Sequence, residues 1–426
     1  MIIKTNANLL IKFSIFLSLT FFATTTHAKD NEATKIKSNQ TLIEALTGGT
    51  PYLNMRYRYE FVRQDNIEKD ANASTLATIF GYKTGEYKKL SAVLAIQDIS
   101  EIGSRRYNDT IHTDKTNYAT VGDPQGTSIN EAYINWNAAP KTNIRAGIQE
   151  IDLDNKRFIG AESWRQGGQT FDAVSISSQY FNDISLSYIF IDNVNRAFAD
   201  SAPLDEYSNN NINLFNVAYD IDQYGQIIAY DYIIDMPDAK SSSSQTYGVR
   251  FDGSSYKFDD NLSGSYQLEY AHQKDYGDNS NDYSTDYILA EAEIGYKKSI
   301  YKIGIERLGA NRRGDSFQTP LASLHNFNGW ADKFITTPTN GLLDFYATIQ
   351  YKINSEYKIL DDLNTEFTFH NFSSRRNSIH YGEEYDFLVK KNFKKHYNAG
   401  LKLAHYQADE RLTNTTKIMV FTGLQF

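Results

Sequence analysis

The segment Tyr52-Leu53-Asn54-Met55-Arg56-Tyr57-Arg58-Tyr59-Glu60-Phe61-Val62 alternates apolar or aromatic side chains with polar or charged ones from Leu53 onward. A period of two predicts a β-strand with one apolar and one polar face. An arginine that faces lipid at mid-bilayer costs about 2–4 kcal/mol in a membrane barrel, whereas one that faces a wet lumen costs little. We therefore expect Arg56, Arg58 and Glu60 on the inner face of a transmembrane barrel.

The same alternation recurs down the chain in segments of roughly ten residues, the length of a tilted membrane-crossing strand. Links after even-numbered segments are short and several links after odd-numbered segments are long, as expected for periplasmic turns and surface loops. The predicted segments begin near Tyr52, Thr75, Leu90, Ile129, Thr142, Thr170, Ile184, Ile212, Gln226, Thr246, Leu262, Asp286, Ile300, Leu342, Leu363, Glu383, His396 and Thr416. The predicted fold class is all-β, a closed antiparallel transmembrane β-barrel of about 18 strands.

The two ends of the chain are consistent with export to the outer membrane of a Gram-negative bacterium. Residues 1–28 combine Lys4 and Lys12, a short apolar run and the small residue Ala28, which is typical of a cleaved signal peptide. Residues 417–426 alternate and stop on Phe426, as the terminal strand of such a barrel does. The predicted organisation is a signal peptide (1–28), a short periplasmic segment with one helix (29–50) and the barrel (51–426). We expect the helix to lie in the periplasm or to plug the lower mouth.

Composition fits the same class of protein. The chain has 31 Tyr and 25 Phe, yet its mean hydropathy is only -0.52, because a barrel confines apolar residues to alternate positions and keeps its lumen polar. It contains no Cys, which excludes disulfides, thiolate nucleophiles and Cys-ligated metals. We find no catalytic motif and no set of metal ligands with a fixed spacing, so the sequence predicts neither an enzyme nor a cofactor.

Several motifs are more specific than strands or turns require. They are Arg56-Tyr57-Arg58-Tyr59-Glu60, Leu153-Asp154-Asn155-Lys156-Arg157-Phe158-Ile159-Gly160, Trp164-Arg165-Gln166, Gln169-Thr170-Phe171-Asp172-Ala173, Thr319-Pro320-Leu321 and Asn328-Gly329-Trp330-Ala331-Asp332. With these motifs the chain resembles the alginate export family of outer-membrane proteins from about residue 52 to 426. The resemblance implies an 18-stranded barrel and, for the founding members, export of the polyuronate alginate through an arginine-lined lumen.

The candidates for lining the channel or setting its selectivity are Arg56, Arg58, Glu60, Arg145, Arg157, Arg165 and Arg250. Guanidinium groups pair bidentately with carboxylates, so such residues suit an anionic solute. The alternation also places nine acids and eight bases on the inner face, which departs from an arginine-dominated lining. Two functions therefore stay open: export of an anionic polysaccharide such as alginate, and diffusion of small hydrophilic solutes through a general or substrate-specific porin.

Two long links, residues 150–169 and 310–341, exceed what a plain hairpin needs. The first contains Arg157 and Arg165, and the second contains His325 and Trp330. We expect one or both to fold into the pore as a constriction or lid. The expected partners are outer-membrane lipid and lipopolysaccharide, the barrel assembly machinery, and a polysaccharide or small polar solutes; nucleic acid is not expected.

Overall fold

The computed structural model describes residues 41–198, 205–358 and 360–426. The predicted signal peptide and residues 29–40 of the predicted periplasmic segment lie outside this part of the chain. Eighteen strands form the wall, and we label them β1 to β18. Their bounds are Thr50–Gln64, Ala71–Lys83, Leu90–Glu101, Gly126–Ala139, Thr142–Gln149, Thr170–Ser178, Ile184–Asn195, Ile212–Ile221, Gly225–Ile234, Ser244–Gly253, Leu262–Asp275, Ser284–Tyr296, Ser299–Leu308, Leu342–Ile353, Leu363–Ser373, His380–Phe393, Tyr397–Ala408 and Thr415–Gln425.

Each wall strand pairs antiparallel with its neighbours in sequence, and β1 also pairs with β18 from Asn54 opposite Gln425 to Gln64 opposite Thr415. This last ladder closes the sheet, so no strand edge is left exposed in the membrane. The predicted closed barrel of 18 antiparallel strands is confirmed. Two-residue strands at Glu206–Tyr207 and Tyr256–Lys257 pair antiparallel with one end of β7 and one end of β11, and short 3-10 turns cover Thr113–Lys115, Asp222–Tyr224, Pro237–Ser242 and Leu324–Asn326.

The two faces of the wall differ as the alternation predicts. Phe80, Ile134 and Ile303 point outward and are 57–59% exposed in the isolated chain, where lipid would cover them. Arg58 and Arg250 point inward and are each 1% exposed. Inward charges are thus largely covered by protein, because other parts of the chain enter the lumen.

Three long connections fill part of the lumen: loop A (residues 102–125), loop B (150–169) and loop C (309–341). Loops B and C pair with each other, since Gly160 N donates to Leu321 O at 2.8 Å. Phe158 of loop B packs against Tyr230 and Tyr287 of the wall, with ring centroids 5.5 and 5.3 Å apart. The main apolar core therefore lies inside the barrel, between loops B and C and the inner wall.

A short helix, α1, covers Leu42–Thr47 and precedes the barrel. Thr41 and Glu44 form a capping box at its start, and Gly48 ends it. Its Leu46 carbonyl accepts a hydrogen bond of 2.7 Å from the hydroxyl of Tyr82, a side chain on the outer face of β2. The helix thus lies outside the wall and does not plug the mouth. Within the described residues, no helix has the length and apolar character needed to cross a membrane.

The C-terminal residue completes the closing ladder, which leads to a first prediction. Phe426 N donates to Leu53 O at 2.9 Å, Leu53 N donates to Phe426 O at 3.0 Å, and the Phe426 ring stacks on His396. We expect Phe426→Ser to reduce the yield of folded barrel in the outer membrane, because the last strand loses its apolar end. Heat-modifiable migration in gels measures this yield. A wild-type yield for the variant would show that Phe426 has no part in assembly.

Candidate functional site

Loop B is bound to the inner face of β1 by two arginines. Arg56 donates to Ser163 O at 2.8 Å, to Gln166 Oε1 at 2.9 Å and to the carbonyl of Arg165. Arg58 donates to Trp164 O at 2.5 Å and forms an ion pair with Asp123 of loop A. Both guanidinium groups are thus used to hold loops A and B in place.

Asp332 of loop C is the acceptor on which three cationic or polar side chains converge. Lys417 donates to it at 2.6 Å, Arg165 at 2.8 Å, and His325 lies at 2.7 Å. Burial alone would raise the pKa of Asp332, but His325, Lys417 and Arg165 hold it well below its usual range. Glu60 lies next to this cluster, 3.6 Å from Arg165. The cluster connects loop B, loop C, β1 and β18.

His325 links this cluster to two tryptophans. Burial, together with the nearby Lys402 and Arg165, lowers the pKa of His325 well below its usual value. A neutral ring explains its two contacts, since Nδ1 donates to Asp332 while Nε2 accepts from Lys402 at 2.8 Å. The Lys402 ammonium lies 4.1 Å from the Trp164 ring centroid and 3.8 Å from that of Trp330. Cation–π contacts of this kind keep both indoles beside the wall.

Arg157 joins loops B and C to a part of the wall that is six strands from β1. Its guanidinium donates to Glu306 of β13 at 2.6 Å, to Thr319 at 3.2 Å and to Asn328 at 3.0 Å. Burial works against its charged form, yet Glu306 and Tyr287 raise the pKa of Arg157 above its ordinary value. The side chain is 2% exposed, so its charge is covered by protein.

The seven candidate residues from the sequence therefore separate into groups. Arg56, Arg58, Glu60, Arg157 and Arg165 lie in the contacts between loops and wall. Arg250 is instead paired within the wall, with Glu269 at 2.8 Å and Asp252 at 2.7 Å. Arg145 takes part in neither set of contacts. Its guanidinium carbon lies 4.3 Å from the centroid of the Tyr133 ring. Of the seven, Arg56 and Arg165 line one of the two cavities described next.

The first of these spaces, the basic cavity, has a volume of about 450 Å³ and lies between loop B and the inner face of β1, β16, β17 and β18. Four basic side chains line it: Arg56, Arg165, Lys390 and Lys402. Glu150 is its one carboxylic acid, and burial raises the pKa of that acid. Arg165 is already paired with Asp332 at 2.8 Å, so the positive field of this cavity comes mainly from the other three basic side chains.

The second space, the acidic cavity, has a volume of about 370 Å³ and lies beneath loop C, against the strands β12 to β16. Its single lysine, Lys302, pairs with Glu291 at 3.0 Å. Trp330 forms part of its wall, so the Trp330 and Lys402 pair separates the two cavities. The carboxylates that line it are Glu291, Glu306, Asp344, Glu366 and Asp386.

Lys390 and Asp332 were not among the candidate site residues from the sequence. The alternation on β16 contains the signal for Lys390, because Tyr385, Phe387 and Val389 occupy the outer face and leave position 390 to the lumen. Asp332 ends the motif Asn328-Gly329-Trp330-Ala331-Asp332, but no periodicity indicates its position or its partners. It lies in a loop without periodicity, and its partner Arg165 is 167 residues away in sequence.

A closed 18-stranded barrel with an outward apolar face, an inward polar face and loops folded into its lumen defines an outer-membrane channel. The chain belongs to the alginate export family: the family model described as Alginate export matches residues 52–298. Family and fold are those of transport channels and point to the outer membrane of a bacterium.

Solved structures with this fold include three channels of low sequence identity. Acinetobacter baumannii OccAB4 matches with a TM-score of 0.69 and 13% identity, over 89% of this chain and 99% of that one. Pseudomonas aeruginosa OpdK, solved with vanillate, matches with a TM-score of 0.67 and 11% identity over the same shares. Acinetobacter baumannii OccAB2 gives 0.66 and 15% identity, over 90% and 99%. These likenesses concern the fold, and no curated protein matches the sequence significantly.

Proposed function

We propose that this protein is a diffusion channel for small hydrophilic solutes that carry a carboxylate, and that such solutes pass through the basic cavity. The observation that carries the proposal is the lining of this cavity by Arg56, Arg165, Lys390 and Lys402. Bases in a confined, poorly screened space attract anions and lower their barrier to entry. Carboxylate-bearing solutes of small size fit a space of about 450 Å³.

The contacts that hold loops B and C in the lumen favour a small solute over a polymer as the substrate. Loop B is attached to the wall through Arg56 and Arg58, and loop C through Asp332 and Lys417. A continuous chain of sugar acids needs an open path along the whole lumen, and these contacts would have to break to provide one. A small solute can cross the lumen beside loops that remain attached.

The likeness to OpdK is consistent with this proposal at the level of ligand chemistry. Vanillate, with which OpdK was solved, is a small aromatic carboxylate. The identity of 11% transfers no individual residue. The substrate proposed here therefore rests on the basic cavity of this chain and not on that likeness.

Lys390 gives the sharpest test of the proposal. Its side chain is exposed to the lumen, whereas the adjacent Lys391 points outward and donates to the carbonyl of Asp361 at 2.6 Å. Lys390→Gln should shift the reversal potential in a salt gradient toward cation selectivity, and Lys391→Gln should not. A barrier change of about 1.4 kcal/mol is a tenfold change in permeability ratio, and a charge within a Debye length of roughly 8 Å can approach this.

The matched pair removes the same charge from adjacent positions, so a general effect of net charge would appear in both variants. If the two variants have equal selectivity, the basic cavity is not on the conducting path. Uptake of benzoate-like carboxylates into liposomes that contain the wild-type channel supplies the second measurement. Equal rates for a carboxylate and for its neutral amide would contradict the proposed solute class.

Export of an anionic polysaccharide is the second candidate, and membership of the alginate export family favours it. It requires loops B and C to leave the lumen. A variant with loop C deleted between Ala310 and Gly341 should then pass oligouronates faster than the wild type. If the wild type already conducts polyuronate and excludes small carboxylates, the exporter is the correct function and the small-solute channel is not.

A further inference from the structure

Helix α1 presents three large apolar side chains that nothing in the described residues covers. Leu42, Ile43 and Leu46 are 53, 73 and 51% exposed, whereas Ala45 is 2% exposed. At about 100° per residue, the three exposed side chains fall within one arc of roughly 100° on the helix. Thr47 lies outside this arc. The helix is therefore amphipathic, with its apolar face directed away from the protein.

The position of α1 follows from the alternation on β2. Ala77 and Ile79 line the basic cavity and face inward, so Phe80 and Tyr82 face outward. The Tyr82 hydroxyl donates to Leu46 O at 2.7 Å and accepts from Gly49 N at 2.8 Å. Two hydrogen bonds thus hold the end of the helix against the outer surface of the wall.

The turn after β2 holds the other side of the helix. Gly85 N donates to Ala45 O at 2.8 Å, which explains why Ala45 is covered. This turn follows an even-numbered strand and belongs to the short turns that face the periplasm in outer-membrane barrels. Helix α1 therefore lies at the periplasmic rim, outside the barrel.

The exposed face of α1 continues the lipid-facing band of the wall. Phe80, Leu90 and Leu94 on the adjacent strands point outward and are 59, 42 and 54% exposed. We propose that α1 lies in the plane of the periplasmic leaflet and inserts Leu42, Ile43 and Leu46 among its acyl chains. Tyr82, an aromatic ring with a polar tip, is the residue type expected at that interface. The partner is phospholipid, and α1 is an interfacial anchor for the segment that precedes the barrel.

The absence of cysteine from the sequence makes a direct test possible. Ile43→Cys on the apolar arc and Thr47→Cys outside it are each labelled with a nitroxide, and the folded full-length barrel is placed in phosphatidylcholine vesicles. Collision with oxygen, which concentrates in acyl chains, is compared with collision with a water-soluble nickel chelate. Phe80→Cys is the lipid-facing control, and Lys88→Cys, in the turn after β2, is the aqueous control. Heat-modifiable migration checks that each variant is folded.

The proposal predicts that the label at position 43 favours oxygen, as at position 80, and that the label at 47 favours the nickel chelate, as at 88. Equal access of the chelate to 43 and 47 would place α1 in the periplasm and overturn the proposal. Protection of position 43 from both reagents would also overturn it, because a protein surface would then cover the helix. Leu46→Cys repeats the measurement at a second position on the same arc.

Discussion

Replacing Asp332 with Asn is expected to release loop C from the wall and to raise the single-channel conductance. The buried carboxylate accepts from Lys417 at 2.6 Å and from Arg165 at 2.8 Å. Asn has nearly the same shape but no charge, so both cations would stay buried without their main counter-ion. Removal of one partner from a buried ion pair typically costs about 3–5 kcal/mol, which shifts the equilibrium toward an open loop C although hydrogen bonds such as Trp330 N to Asp386 at 3.1 Å and Ala331 N to Glu384 at 2.6 Å remain.

The substitution tests charge and leaves the backbone conformation unstrained. Asp332 has a φ of 58°, a left-handed conformation that Asn adopts more readily than most residues. Asp315→Asn is the control within loop C, because its carboxylate accepts from Asn311 at 2.9 Å and touches neither arginine nor lysine. Planar-bilayer recordings of both variants give the conductance, and limited proteolysis reports exposure of loop C. A wild-type conductance for Asp332→Asn would mean that other contacts suffice to hold the loop.

The wall of this protein could be predicted from its sequence because the wall is periodic. Each strand must turn one face to lipid and one to a polar interior, so the energy of a misplaced Arg58 or Arg250 determines the register. The predicted and observed starts agree closely. The largest difference is at the second strand, predicted from Thr75 and observed from Ala71, where small residues such as Ala71 and Ala73 weaken the alternation.

The lumen could not be predicted in the same way, because its contacts are not local. Loop B and loop C meet at Gly160 and Leu321, and no period in either loop indicates that pairing. Arg58, Arg157 and Arg250 were expected to line the channel, yet each is buried and paired with a carboxylate. An inward position and an exposed position are different properties. Alternation determines the first, and the path of the loops determines the second.

The ion pair between Arg157 and Glu306 is expected to be the main attachment of loop B to β13, which lies six strands from β1 around the barrel. Arg157 Nε donates to Glu306 Oε1 at 2.6 Å, and the side chains are 2 and 4% exposed. Tyr287 also donates to Glu306 at 2.8 Å. Arg157→Met should destabilise the docked loops by about 3–5 kcal/mol, because Glu306 would remain buried with neutral donors alone.

Glu306→Gln and the double variant complete the test. If the cost comes from an uncompensated charge, the double variant should lose less stability than the sum of the two single variants, by a coupling energy of about 0.5–3 kcal/mol. Hydrogen exchange at the Gly160 amide, which donates to Leu321 O at 2.8 Å, measures opening of loop B from loop C directly. Arg313→Met is the control, since that side chain is 71% exposed and its nearest carboxylate is 3.4 Å away.

Additive costs in the double variant would indicate that Arg157 acts through its packing on the Phe327 ring, 4.8 Å from its guanidinium carbon, and through its bonds to Thr319 and Asn328. The loops would then be held in the lumen by packing and neutral hydrogen bonds, and their attachment would be insensitive to the charge of Glu306.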